Sequence, residues 1–235
     1  MSAPAAAAPA ELGGDLAAGL AATALALARR IATGATLWCV APGAPAHAEH
    51  LAVEFLHPVI MGKRAVPAVA LEGPDVRTTL RTARPGDVLI LLGSSEDPEL
   101  GALARRASPW GLESVWLVTD GAPGPDADHV LRIDADGDPM VELVVAYHVL
   151  WELTHVVFEH PGLVAADTDH SEAVCITCAD DAQLAEVESV AGDRATVRRD
   201  GETAEVAIDL VDDVRPGDLL LVHAGVAISH VEEAS

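Results

Sequence analysis

The sequence predicts a doubly wound α/β domain followed by a small all-β barrel domain, and three observations carry that prediction. Short runs of Val, Leu, Ile and Ala alternate with helical patterns from Ala35 to about residue 160, the mark of a parallel sheet covered on both faces. Beyond Pro161-Gly162 the composition shifts to the acidic link Asp167-Thr-Asp-His-Ser-Glu172. After it come brief strand-like runs separated by turn signals, the pattern of a small closed barrel. The expected division is a disordered tail over residues 1–14, the α/β domain over 15–163, a linker over 164–172 and the barrel over 173–235.

The elements follow in order. Residues 2–9 are an Ala/Pro tract. The apolar segment from Leu16 to Ala28 predicts a helix with Asp15 as N-cap, Arg29 and Arg30 in its last turn, and Gly34 just beyond its end. Strands are expected at Thr36 to Val40, Ala65 to Leu71, Asp87 to Leu92, Ser114 to Thr119 and His129 to Ile133. Helices are expected at His47 to Leu56, Val76 to Ala83, Glu99 to Ala107 and Pro139 to Glu159. Arg84-Pro-Gly-Asp87 suits a turn with Pro second and Gly third, and Arg215-Pro-Gly-Asp218 repeats it in the second domain. There, Gly192-Asp193 and Asp200-Gly201 flank a strand at Ala195 to Arg199, and further strands are expected at Ala204 to Leu210 and Leu219 to His223.

Composition narrows the function classes. Half of the residues are apolar but only seven are aromatic, so the core must pack on small aliphatic side chains. A net charge of −23, with 37 acidic against 14 basic residues, sets the chain against phosphate backbones and anionic bilayers. Neither nucleic acid nor membrane is expected as a partner; such acidity also serves solubility alone. Three cysteines argue against a disulfide framework and for the cytoplasm. The N-terminal apolar segment has acidic residues before it and basic ones after it, the reverse of a secretory signal.

Two polar stripes interrupt the apolar helices. His47, His50, Glu54 and His57 recur at helical spacing on one, and Pro58 should end that helix at His57. His148, Glu152, His155 and Glu159 do so on the other. By spacing alone each stripe reads first as the solvated side of an amphipathic helix. Imidazole and carboxylate at i, i+4, as in His50 and Glu54, are equally zinc ligands or a proton-transfer pair.

The run from Ala46 to Leu71, with Asp87 to Leu92, Ala127 to Ile133 and the helix carrying His148, resembles the phosphoheptose isomerase branch of the sugar isomerase (SIS) family. The resemblance implies Glu54 and His148 as the acid/base pair of an aldose-ketose isomerase. It also implies His50, Glu54 and His148 as zinc ligands, and homo-oligomerisation through this domain. The phosphate-binding parts depart from that pattern. The family's Gly-Asn-Gly-Gly-Ser turn is here Val40-Ala-Pro-Gly-Ala44, which lacks the hydroxyl, and Pro42 removes a backbone donor. Its second, uncharged loop is here Gly93-Ser-Ser-Glu-Asp-Pro-Glu99. Ser94 and Ser95 are the remaining ligand-binding candidates, although Ser in a polar turn is more often a local cap. A family Gln ligand falls on Met140, whose thioether offers no oxygen. The expectation is an isomerase scaffold without ordinary phosphosugar catalysis, keeping a carbohydrate-derivative or assembly role.

In the second domain Cys175-Ile-Thr-Cys178 can be a redox couple, half a zinc site or the source of one thiolate. Cys39 lies in an apolar run and reads as a small buried hydrophobe. His223 closes a strand, where a lone His is commonly structural. Together with Leu210-Val-Asp-Asp-Val-Arg-Pro-Gly-Asp-Leu-Leu-Leu-Val-His-Ala-Gly-Val-Ala-Ile228, these residues resemble the HypC/HybG/HupF family of [NiFe]-hydrogenase maturation chaperones. The resemblance implies an iron fragment bearing carbon monoxide and cyanide as cargo, held by Cys175 and His223 with Cys178 as the alternative thiolate. It implies a HypD-like protein and the hydrogenase large subunit precursor as partners. The family's Cys follows the initiator Met, whereas Cys175 is internal, so no terminal amine can contribute here.

Overall fold

The strands of the larger domain form where the apolar runs predict them. The computed structural model describes residues 14–60, 62–120, 127–133, 138–160, 162, 164 and 182–231. Residues 1–13 of the expected tail, most of the linker, and Cys175 and Cys178 lie outside the described residues, while Gly14, assigned to the tail, begins the first helix.

The first domain contains α1 (Gly14–Ala32), β1 (Leu37–Val40), α2 (Pro45–Leu56), β2 (Ala68–Leu71), α3 (Val76–Leu80), β3 (Val88–Gly93), α4 (Pro98–Ala107), β4 (Glu113–Val118), β5 (His129–Arg132) and α5 (Pro139–Phe158). The parallel sheet has the order β2-β1-β3-β4-β5, with Leu37 opposite both Ala68 and Val88. Alternate residues of β3 face opposite layers. Val88, Ile90 and Leu92 pack against α1, α2 and α5, while Leu89 and Leu91 pack against α3 and α4. Asp15 is inside the first turn of α1 rather than its N-cap, because the helix already begins at Gly14. There its carboxylate still complements the positive end of the helix dipole.

Helix α5 is apolar and long enough to cross a membrane by length and composition. It lies instead along α1 and against α2, burying Leu143, Ala146, Tyr147, Leu150 and Trp151. Asp138 caps it, its carboxylate accepting from Met140 N–H at 2.9 Å.

The second domain contains β6 (Gln183–Ala191), β7 (Arg194–Arg199), β8 (Glu202–Ala207), β9 (Leu219–His223) and β10 (Val226–His230). They close a barrel in the order β10-β8-β7-β6-β9, with β10 returning to pair with β9. Its core is Ala185, Val187, Ala195, Val197, Val206, Leu220, Val222 and Ala227. The expected strand at Ala204 to Leu210 begins earlier and stops at Ala207, beyond which Val211 N–H bonds to Ile208 O in a turn. Both Arg-Pro-Gly-Asp segments make the same turn. Asp87 N–H bonds to Arg84 O at 2.9 Å and Asp218 N–H to Arg215 O at 3.1 Å, with Gly86 and Gly217 at φ 92° and 95°. In each, the aspartate carboxylate also accepts from the arginine N–H.

The barrel is seated on the first domain through a buried carboxylate. Glu186 of β6 has no solvent exposure. It accepts from Arg77 Nη2 at 2.8 Å and from the Trp110 indole, and Arg106 Nε lies 3.7 Å away. Beside it Glu188 pairs with Arg81 at 3.3 Å and Arg198 at 2.8 Å. The β7–β8 turn completes the contact: Gly201 N–H bonds to Pro109 O at 2.9 Å. A Cβ on Gly201 would fall 2.4 Å from Pro85 Cγ, so close approach and a φ of 78° both require glycine there.

Candidate functional site

Two helices that share the α1 side of the sheet bring one residue set together. On α2, His50 and Glu54 stand one turn apart; α5 supplies His148. Glu54 Oε1 lies 3.3 Å from His50 Nε2 and 3.8 Å from His148 Nε2, and one ligand atom from each of the three falls within 4.8 Å of the others. Tetrahedral bonds of about 2.1 Å place neighbouring ligand atoms roughly 3.4 Å apart, so the set needs only a small contraction to hold zinc. His148 Nδ1 donates to Val144 O at 2.7 Å, which turns its Nε2 toward Glu54. His50 Nδ1 shares a 2.9 Å hydrogen bond with the Tyr147 hydroxyl.

Tyr147 and Trp151 were not legible as site residues. Tyr147 is fully buried, touches His47 as well at 3.4 Å, and its hydroxyl pKa is pushed up to about 12 by burial and by the nearby Glu54 charge. A neutral phenol can therefore orient His50 throughout the physiological range. The Trp151 indole donates to Glu54 O at 2.8 Å and fixes the α2 backbone at the carboxylate. The only available signal was their position flanking the polar stripe of α5.

The remaining stripe residues go elsewhere. His57 caps α2 through its N–H to Val53 O. His155 is buried, its ring bonded to Trp151 O and Arg64 O. Glu152 and Glu159 both face Lys63. The stripes are thus neither wholly a metal face nor wholly a solvated side. Met140 packs against the core at its partly buried position. Cys39 is inert as a nucleophile, its thiol pKa pushed up to about 12 by burial.

Ser94 and Ser95 sit in the β3–α4 turn, and both hydroxyls are engaged by Asp120. A cleft of about 480 Å³ opens at the ends of β1 and β2, lined by Val40, Pro42, Leu71, Glu72 and Glu99 among others, and neither serine lines it.

In the barrel, His223 is partly buried at the last position of β9, immediately before a two-residue turn. Ala224 and Gly225 both have positive φ, 47° and 81°, as a type I′ hairpin requires. Gln183, the first residue of β6, is registered against Val222. The chain therefore enters the barrel beside His223, five residues after Cys178.

Fold and site together define a fusion of an α/β domain, built on a parallel five-stranded sheet, with a small β-barrel module. Among solved structures, a phosphoheptose isomerase from Francisella tularensis aligns with 60% of this chain and 90% of its own, at 16% identity and a TM-score of 0.50. A phosphoheptose isomerase from Neisseria gonorrhoeae aligns with 60% of this chain and 88% of its own, at 16% identity and a TM-score of 0.48. The sugar isomerase domain of an RpiR transcription factor from Sphaerobacter thermophilus covers 63% of this chain and 82% of its own, at 20% identity and a TM-score of 0.45. No curated protein matches the chain in sequence. Residues 182–235 match the model of the HupF/HypC family. The chain is thus an α/β domain of the phosphoheptose isomerase fold joined to a HupF/HypC-type domain.

Proposed function

We propose that this protein is a cytoplasmic maturation factor for [NiFe] hydrogenases, its barrel carrying an iron fragment with carbon monoxide and cyanide ligands between a HypD-like protein and the large subunit precursor. The family match over residues 182–235 carries the reading. The chain path supports it, because β6 begins beside His223 and both cysteines lie a few residues upstream. Cys175 supplies the thiolate, or Cys178 in its place, and His223 the imidazole. A low-spin ferrous centre with strong-field ligands suits that donor pair.

The α/β domain serves assembly as a homo-oligomer or binds a carbohydrate derivative, with zinc held by His50, Glu54 and His148. Zinc there would polarise a ligand oxygen, and Glu54 and His148, 3.8 Å apart, are the pair that would serve as acid and base. The same pair favours a second reading, a sugar-phosphate isomerase with an appended chaperone module.

The two make opposite forecasts. Anaerobically expressed protein should co-purify with a HypD-like partner and show infrared bands of bound cyanide and carbon monoxide that vanish in Cys175→Ala. Interconversion of sedoheptulose 7-phosphate with its aldose isomers, abolished by Glu54→Gln, would instead establish the isomerase.

A further inference from the structure

The two imidazoles of the candidate metal set are oriented by different kinds of partner. His148 Nδ1 faces Val144 O at 2.7 Å. A carbonyl only accepts, so the proton of the neutral ring lies on Nδ1 and Nε2 keeps its lone pair. His50 Nδ1 faces the Tyr147 hydroxyl at 2.9 Å instead, and a hydroxyl donates as readily as it accepts. If it donates, the proton of a neutral His50 lies on Nε2, which then gives it to Glu54 Oε1 at 3.3 Å. If it accepts, Nε2 is bare. The other neighbour of the hydroxyl decides between the two. Tyr147 has no solvent exposure, so its single proton goes to a protein acceptor. Besides His50, the structure gives it His47 Nδ1, at 3.4 Å. His47 stands one turn before His50 on α2, and the two rings meet the phenol edge-on, with centroids 6.1 and 5.6 Å from its own.

The geometry points to His47 as a positioning residue for the metal set: by accepting the Tyr147 proton it turns the phenol oxygen into an acceptor for His50 Nδ1–H, and so leaves His50 Nε2 bare for a cation. The inference rests on the reading that His50, Glu54 and His148 hold zinc, and it is independent of the barrel's cargo. An ion reaches the set from solvent, because the His50 and His148 side chains are 44% and 39% exposed. Two hydrogen-bond arrangements are open to the chain of groups. In one, His47 Nδ1–H donates to Tyr147 O, Tyr147 O–H to His50 Nδ1 and His50 Nε2–H to Glu54. In the other, His50 Nδ1–H donates to Tyr147 O and Tyr147 O–H to His47 Nδ1, with the His47 proton on Nε2. Each group carries one proton in both, so passing from the first to the second releases a proton at His50 Nε2 and takes one up at His47 Nε2. The second sets a lone pair against the Glu54 carboxylate, a repulsion that a cation between them relieves. With no acceptor at position 47 the buried Tyr147 proton is left with His50 Nδ1, and the first arrangement is locked in.

Zinc titration of the full-length protein against a chromophoric chelator tests this, together with nitrogen NMR of the imidazoles in the zinc-loaded wild type. His47→Leu, which offers no acceptor, should bind zinc about tenfold more weakly than wild type. His47→Gln, whose amide oxygen accepts, should recover most of that loss. Adding Tyr147→Phe to His47→Leu should cost nothing further, because both changes act through one hydroxyl. The ring nitrogens of the zinc-loaded wild type should show the His50 proton on Nδ1 and the His47 proton on Nε2. The reverse placement would overturn the inference, and that spectrum needs no variant to fold. So would a folded His47→Leu with unchanged affinity, or a double variant whose losses add. His148→Ala separates this inference from the metal reading. If it leaves zinc affinity unchanged, that reading fails and the inference falls with it; if it loses zinc while His47→Leu does not, the inference alone fails. The infrared bands that report the barrel's cargo do not depend on His47.

Discussion

The α/β domain and the barrel hold their candidate site residues in different ways. In the first, His50, Glu54 and His148 lie within one small sphere, while the hydroxyls of Ser94 and Ser95 are taken up by Asp120. In the second, the scaffold is intact from Gln183 to His230, and of the proposed donors only His223 belongs to it. Chemistry-bearing side chains on two packed helices persist when a neighbouring loop changes, because helix packing fixes them.

The two regions are joined by Glu186, and breaking that link should have the largest effect. Glu186→Ala removes the buried carboxylate that accepts from Arg77 and Trp110 and should cost about 3–5 kcal/mol. Denaturant unfolding followed by fluorescence should then show two transitions in place of one, and an unchanged single transition would count against the docked arrangement. Gly201→Val forces a side chain into Pro85 and strains a positive φ, and should weaken the same seating by about 1–3 kcal/mol.

Within the α/β domain, Tyr147→Phe removes the hydroxyl that orients His50. Zinc affinity, measured by competition with a chromophoric chelator, should fall roughly tenfold or more, while His148→Ala or Glu54→Gln removes a ligand outright. Equal affinities in all four proteins would show that the three residues do not hold zinc.

The smallest effect concerns acid. The His129 ring bonded at 2.8 Å to Glu113, together with Arg30, holds its carboxyl below the ordinary glutamate value, against burial pushing the other way. The folded protein therefore gives up this proton more readily than the unfolded chain. The stabilisation is complete above the unfolded pKa and is lost as pH falls through the folded one. Melting curves of Glu113→Gln should depend less steeply on pH below about 4.5 than those of the wild type.

Periodicity placed every strand of the α/β sheet and its four later helices within a few residues, because a sheet buried on both faces writes continuous apolar runs. In the barrel, β6 and β10 were missed. Gln183–Ala191 carries Glu186 and Glu188, which face the other domain rather than water, so it lacks an alternating apolar pattern. His50, Glu54 and His148 were legible from helical spacing and resemblance together. Asp120 and Glu186 were not, since each acts across a contact between segments 25 or more residues apart, which no local pattern encodes.

Infrared spectroscopy of the anaerobically expressed full chain, captured with its partner, tests the central claim most directly. The account predicts cyanide and carbon monoxide stretching bands in the wild type, their loss in His223→Ala and in Cys175→Ala, and their retention in Glu54→Gln. Bands that survive both barrel substitutions, or that disappear with Glu54, would contradict it.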